Sequence, residues 1–336
     1  MTTPSNHTST SSTSAAALLT AYPQLNVFTS YTDSELCDPK QLFGLEHVLN
    51  KANNKTSNTS ANNVLASDVL GYESNSFTTN YIKDQKTSLG DGVFIAESRK
   101  VIDRAFAQAY QPFAGIMDAS WLHQNQDLVE EMEQSHPNVP FVITDTPTLQ
   151  AITGYHTTKG PLMAFYRKPL SCPEALLEHA NHIAIFENIN NYTNMGALFR
   201  SAAALNVDAV FITPTCYDPL YRRGLRVSMG AALQVPWTRL SASKGTSWTE
   251  SFFPLLHQFG FTTFALALTE SAYALDDPRL PKQNKSALIL GNEGAGLEQI
   301  TIDQSDYAVI IPMAHSVDSL NVACASSVAF WEFCRR

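Results

Sequence analysis

The sequence predicts an α/β protein with two folded domains, the larger built on a mostly parallel sheet. Three observations carry this expectation. A chain of 336 residues accommodates about two domains at roughly 100 to 200 residues each. From residue 92 onward, short apolar runs of strand length alternate with helix-like stretches. Three of the later runs open into polar loops, as happens at the carboxyl ends of parallel strands.

Taken in order, residues 1 to 14, "MTTPSNHTSTSSTS", have almost nothing apolar to bury, so disorder is the expectation. A second such stretch, "KANNKTSNTSANN" at 51 to 63, lies inside a weakly periodic region (38 to 88) and reads as an insertion. Residues 1 to 88 are therefore treated as a leader plus insertion, partly disordered. "VFIAES", "GIMDAS", "FVITD" and "LMAFYR" then read as strands, with helices over 99 to 109 and 125 to 135, giving a small α/β domain over 89 to 168. A linker with two prolines, "KPLSCPEA", leads to the second domain, 175 to 336. Its strands are expected at 182 to 186, 208 to 213, 262 to 268, 286 to 290 and 307 to 313. A helix is expected over 196 to 205, where Leu198, Ala202 and Leu205 recur at helical spacing. The last helix, Val322 to Phe333, is apolar nearly all round and should be covered on more than one side, by its own domain or by a second copy of the chain.

Composition excludes several classes. The five cysteines, Cys37, Cys172, Cys216, Cys324 and Cys334, form no C-x-x-C pair, so neither a disulfide framework nor a metal site is expected. No apolar run approaches the roughly 20 residues of a membrane helix, and the N-terminus lacks the basic start of a secretory leader. The expectation is a soluble cytoplasmic protein with no membrane partner. Net charge is −9, so any nucleic acid must be met by a local basic patch against a general repulsion.

The chemistry concentrates in the three loops. "LILGNEGAGL" follows a predicted strand, which makes Gly291, Asn292, Glu293, Gly294 and Gly296 site residues by position. Their spacing, G-x-x-G-x-G, is not the G-x-G-x-x-G of a dinucleotide fold, and no Gly-Lys-Ser/Thr follows. An oxidoreductase using a nicotinamide is thereby disfavoured. The carboxylate of Glu293 would repel a bound phosphate by several kcal/mol at an effective dielectric of about 20, so a cationic or neutral ligand suits the loop better. Taken alone, the same glycines also read as a tight left-handed turn without chemistry. In the first loop, "NINNYTNMGALFR", Arg200 sits early in the predicted helix, where a cation opposes the macrodipole; a ligand partner and a plain surface role both remain open. In the third, "IPMAHSVDSLNV", Ser319 and Asn321 precede the last helix and read as site residues or as helix caps.

Together the three loops resemble the motifs of the SpoU (TrmH-type) RNA ribose 2′-O-methyltransferases of the SPOUT superfamily: "NMGALFRSAAALNVDAVFIT", "LILGNEGAGL" and "IPMAHSVDSLNVACASSVAF", in that order, with "DPLYRRGLRVSMGAALQVPW" between the first two. Residues 92 to 168, opening on "GVFIAESRKVIDRAF", resemble the family's L30e/L7Ae-like RNA-binding domain. The resemblance implies a C-terminal trefoil knot, a homodimer through the knot region, and transfer of a methyl group from S-adenosylmethionine to a ribose 2′-hydroxyl of structured RNA, ribosomal or transfer, without a metal. Carried over by position, the cofactor residues would be Gly291, Ile311 and Leu320, with Leu268 beside the adenine or methionine portion. Arg200 would be catalytic, with Asn194, Glu293, Ser319 and Asn321 around it. Arg222, Arg223 and Arg226, three arginines in five residues, would contact RNA phosphate, joined from the first domain by Arg99, Lys100, Arg167 and Lys168. A catalytically inactive RNA-binding relative is the alternative; the presence of Asn194, Arg200, Glu293, Ser319 and Asn321 argues against it.

Overall fold

Strands covered on both faces appear as mostly apolar runs, and "VFIAE", "FVIT", "AVFI" and "SALIL" are of that kind, buried throughout. The computed structural model of the chain describes residues 9–10, 14–30, 92–155, 160–241, 247–281, 285–292, 294–315 and 319–334. It divides into two compact units, Met1–Pro169 and Leu170–Arg336.

In the first unit the elements are β1 (Ser9–Thr10), α1 (Ala15–Ala21), α2 (Asn26–Ser30), β2 (Val93–Glu97), α3 (Arg99–Ala107), β3 (Pro112–Asp118), α4 (Gln126–Ser135), β4 (Phe141–Thr144), α5 (Thr146–Thr153) and β5 (Leu162–Tyr166). The sheet order is β1-β4-β3-β5-β2. β3 and β4 are parallel, while β5 runs antiparallel to both β2 and β3. α5 shows how local sequence sets an element. Asp145 caps its start by accepting from the Thr148 amide at 2.9 Å, and Gly154 ends it in the left-handed conformation, φ 76°.

The expectation of disorder from the N-terminus needs correction. Ser9–Thr10 pair in parallel with Ile143 and Thr144 of β4. From Ser14 the chain turns apolar, and Leu18, Leu25, Val27 and Phe28 are all buried, with α1 and α2 packed against α5. These four side chains supply the apolar area that "MTTPSNHTSTSSTS" lacks. The stretch at 51 to 63 lies outside the described residues.

The second unit contains α6 (Pro173–His179), β6 (His182–Phe186), α7 (Tyr192–Ala204), β7 (Ala209–Ile212), α8 (Arg222–Val227), β8 (Trp237–Arg239), α9 (Trp248–Gln258), β9 (Thr262–Leu266), β10 (Tyr273–Ala274), β11 (Ser286–Leu290), α10 (Gln299–Gln304), β12 (Tyr307–Ile310) and α11 (Val322–Cys334). All five predicted strands are present, and every pairing in the sheet is parallel, in the order β10-β12-β9-β11-β6-β7-β8. β8 and β10 were not expected; at three and two residues they are too short to give a pattern. One core gathers Ile183, Ile185, Phe211, Phe252, Phe253, Ala265 and Ile289 under the sheet. β11 lies between β6 and β9, both earlier in the chain. Among the described residues no helix is long and apolar enough to cross a membrane, and no group of three His, Cys, Asp or Glu side chains is placed to hold a metal.

Candidate active site

The carboxyl ends of β9, β11 and β12 open into one cavity of about 420 Å³, within the range of about 300 to 1,000 Å³ usual for small-ligand pockets. Gly291, Ile311, Leu320 and Leu268, which come from three separate stretches of sequence, all line it, and so does Ser319. Leu268 and Leu320 are 65% and 38% exposed, so two large apolar side chains stand open at the wall. Covering them with a flat apolar ligand recovers about 25 cal/mol per Å².

The second loop is shaped by its own backbone. A Cβ on Gly291 would lie 2.5 Å from the carbonyl of Gly296, and Gly296 has φ +70°. Both glycines are therefore required by the turn itself, whatever binds beside it. Asn292 and Gly296 exchange backbone hydrogen bonds of 3.2 and 2.8 Å across the turn. The Asn292 side chain organises the rest. Its Oδ1 accepts from the amides of Gly294 and Ala295, and its Nδ2 donates to Asn188 O at 3.1 Å and Asn190 Oδ1 at 2.8 Å.

Glu187, directly after β6, locks the same loop from beneath. It is fully buried, and its carboxylate accepts from the Glu298 amide (2.7 Å), Thr301 Oγ1 (2.5 Å) and Trp248 Nε1 (3.0 Å). Burial pushes its pKa above the ordinary carboxylate value, against the pull of these donors. Asn188, held at φ +55°, donates to Glu298 Oε1 at 3.0 Å. Sequence reading marked this loop as polar but did not single out Glu187, Asn188 or Asn190. The available signal was the run "ENINN" directly after an apolar strand, where polar groups this close to a core must find partners.

Among the predicted catalytic residues, Asn194 and Asn321 meet: Asn321 Nδ2 donates to Asn194 Oδ1 at 3.3 Å, with Asn194 buried. Asn321 also caps α11, its Oδ1 accepting from the Ala323 amide at 2.9 Å, so the cap reading and the site reading both hold for it. Two turns along, Ser201 Oγ and Ser327 Oγ lie 2.8 Å apart, tying α7 to α11. The macrodipole argument for Arg200 fails. α7 starts at Tyr192, capped by Asn191, rather than at 196, so Arg200 is its ninth residue and lies beyond the first turn. Arg200 is exposed and makes no hydrogen bond or ion pair among the described residues. Glu293 lies outside the described residues.

The arginines divide sharply. A Cβ on Gly196 would lie 2.5 Å from Gly224 O and 2.8 Å from Val227 Cβ, so α8 rests directly on the backbone of α7. Arg200, four residues beyond Gly196, shares that face of α7 with the neighbouring helix that carries Arg222, Arg223 and Arg226. Arg223 and Arg226 are exposed and Arg222 half-buried. In the first unit three of the four basic residues singled out from the sequence have protein partners. Arg99 grips Asp127 with both Nη atoms (2.6 and 2.8 Å) and Asp103 through Nε (2.5 Å). Arg167 is buried, with Nε donating to Val93 O. Lys168 donates to Gln108 O and sits 4.7 Å over the ring of Tyr110. Lys100 is exposed.

Comparisons with known proteins bear on this geometry. Residues 181–331 match the model of the SpoU rRNA Methylase family. An uncharacterized tRNA/rRNA methyltransferase of Mycobacterium bovis is 33% identical over 244 residues, covering 72% of this chain and 81% of the relative. The 23S rRNA (guanosine(2553)-2′-O)-methyltransferase of Bacillus subtilis is 27% identical over 156 residues, 46% of this chain and 59% of that protein. Among solved structures, an AdoMet-bound rRNA methyltransferase from Sinorhizobium meliloti aligns with a TM-score of 0.60 at 18% identity, over 76% of this chain and 90% of that one. The SpoU methyltransferase AviRb of Streptomyces viridochromogenes, in complex with AdoMet, aligns with a TM-score of 0.60 at 18% identity, over 76% and 95%. At such identity the likeness is one of fold.

Proposed function

The chain belongs to the SpoU rRNA methylase family, and from that premise we propose that it transfers the methyl group of S-adenosylmethionine to a ribose 2′-hydroxyl of a structured RNA, ribosomal or transfer. The observation that carries this reading is that Gly291, Ile311, Leu320 and Leu268 line one cavity together with Ser319, next to the cap that pairs Asn321 with Asn194. Its open leucines and its wall of turn backbone suit a ligand with a flat apolar base and several polar atoms.

When bound, S-adenosylmethionine supplies a methyl group on a positive sulfonium. The four lining residues would hold the cofactor, and Glu293, which follows Asn292 in the sequence of that loop, would offer its sulfonium a carboxylate. Aligning the ribose oxygen is the larger part of the work and supplies about 7 to 11 kcal/mol in well-oriented systems. Arg200 is a poor base, because a guanidinium is not deprotonated in proteins. It acts instead as a cation that holds RNA phosphate and stabilises charge developing on the 2′-oxygen, whose proton passes to phosphate or water as the methyl–sulfur bond breaks and a neutral thioether departs. Ser319, Asn194 and Asn321 orient that oxygen. Arg222, Arg223 and Arg226 extend the phosphate surface, with Arg99 and Lys168 left out of it.

The same proposal includes the trefoil knot, supported by the placement of β11 between two earlier strands. It also includes a homodimer through α11, supported by Val328 and Trp331, which stand 42% and 57% exposed three residues apart on that helix. Residues 89 to 168 remain the L30e/L7Ae-like substrate domain, working through surfaces other than its paired cations. The test is calorimetry with S-adenosylmethionine, followed by 2′-O-methylation mapping of total RNA incubated with the full chain. One cofactor per chain and a new methylated ribose are expected. Uptake without methylation would identify an inactive RNA-binding relative, and no uptake would remove the cavity assignment.

A further inference from the structure

Three tyrosines meet where the first polar loop meets the segment before α8. The ring of Tyr192, the first residue of α7, lies 4.4 Å from that of Tyr217 at 36° and 4.1 Å from that of Tyr221 at 26°. Two rings this close to a third cannot share one of its faces, so Tyr192 is the middle of a three-ring cluster, stacked on Tyr221 and tilted against Tyr217. Tyr192 is buried, whereas Tyr217 and Tyr221 keep part of their surface in solvent. The aromatic contacts around Phe199 in the same unit are edge-on instead, with Phe186 at 83° and Trp237 at 79°. Such T-shaped pairs fill space, while the Tyr192 pairs bring ring faces together beside solvent.

The cluster also has charged neighbours. Arg222 follows Tyr221 directly, and Arg223 and Arg226 lie exposed on the helix that starts there. Flat aromatic surface beside exposed guanidinium groups is the combination that binds an unpaired nucleotide: the base stacks and the phosphate pairs with the cations. In an A-form duplex the bases are already stacked on each other, so the cluster has nothing to accept there.

We propose that Tyr217, Tyr192 and Tyr221 form a stacking platform for an unpaired base of the substrate RNA, with the adjoining phosphates held by Arg223 and Arg226. This rests on the RNA methylation reading and narrows its substrate to a loop, bulge or single strand. Tyr217 and Tyr221 act as positioning residues.

The test uses the full chain and two RNA probes: a hairpin with 2-aminopurine in its unpaired loop, and a fully paired duplex containing the same sequence. Tyr217→Phe and Tyr221→Phe keep the ring and should hold loop affinity within about two-fold. Tyr217→Leu and Tyr221→Leu keep apolar volume without the stack and should each weaken loop binding about ten-fold. In turnover they should raise the KM for RNA with kcat and cofactor affinity unchanged. The unaltered chain should also quench the 2-aminopurine on binding, a readout that needs no variant to fold. The platform is overturned if the probe is not quenched, if duplex binds as well as loop, or if the leucine variants lower Tm while RNA affinity stays put. Absence of all RNA binding by the unaltered chain would overturn the methylation reading with it, whereas binding indifferent to both tyrosines would remove the platform alone.

Discussion

Lys100 apart, the basic residues singled out from the sequence are held differently in the two units. In Met1–Pro169 the guanidinium of Arg99 is enclosed by two carboxylates, Arg167 is buried against a backbone carbonyl, and Lys168 lies on a tyrosine ring and a carbonyl. In Leu170–Arg336, Arg200, Arg223 and Arg226 face solvent on two helices that Gly196 and Gly224 bring into backbone contact. Both units show basic residues clustered in sequence, and the chain as a whole is acidic. The Arg99 clamp depends on nearby acids, which sequence spacing reveals only when they lie on the same helix. Asp103, four residues from Arg99, is such a case; Asp127 is not.

The largest effect should come from Arg200. Arg200→Lys keeps the charge and loses the planar fork, so turnover should fall about 10²- to 10³-fold while cofactor affinity, read by calorimetry, stays the same. Retained turnover would break the comparison at its centre, since Arg200 would then be one more surface cation. The next effect tests the arginines as a surface. Replacing Arg223 and Arg226 by Gln should reduce the slope of log affinity against log salt by about two, roughly one for each lost phosphate contact. Arg99→Gln, measured in the same buffers, should leave that slope unchanged. A slope that responds to Arg99 and ignores Arg223 and Arg226 would reverse the assignment of the two units.

Much of the second unit was legible because its strands are buried on both faces and so appear as unbroken apolar runs; "SALIL" matches β11 residue for residue. The cavity was legible for a related reason. In a parallel sheet the loops at one edge converge, which marked Gly291 and its loop from the strand end, whereas Ile311 and Leu320 were implied by the resemblance to the SpoU motifs. Three things stayed hidden. The start of α7 was placed at 196 because Leu198, Ala202 and Leu205 give the period, whereas the true start is set by the Asn191 side chain accepting from the amides of Thr193 and Asn194. The folded N-terminal helices were hidden by the polar sequence on both sides of them. Glu187 was not singled out, because its three donors come from residues 61 to 114 positions away.

Glu187 gives an intermediate effect that links the sheet to the cavity. Glu187→Gln leaves an amide nitrogen facing one of three donors, which should destabilise the chain by about 1 to 3 kcal/mol at pH 7. Because those donors fix the start of α10 and the turn before it, cofactor affinity should weaken with stability, while the RNA salt slope stays unchanged. A variant that loses stability and binds cofactor normally would separate this anchor from the cavity.

The smallest effect belongs to the clamp in the first unit, and it sharpens the comparison most directly. The hydrogen bonds from Arg99 hold the Asp127 carboxyl below its ordinary value. A carboxylate lowered on folding stabilises the chain above its unfolded pKa, near 3.8, and loses that contribution as pH falls through the lowered folded value. Asp127→Asn should therefore cost stability at pH 7 and progressively less below about pH 4, with the difference measured by urea unfolding across that range. Asp127 is largely exposed, so the loss at pH 7 should stay under about 1 kcal/mol and shrink in salt. Removing both acids, Asp103→Asn with Asp127→Asn, leaves the Arg99 fork without its clamp. If enclosure by acid is what keeps this arginine from phosphate, the double variant should steepen the RNA salt dependence by up to about one, and an unchanged slope would mean that the position of Arg99, rather than its pairing, excludes it from the RNA.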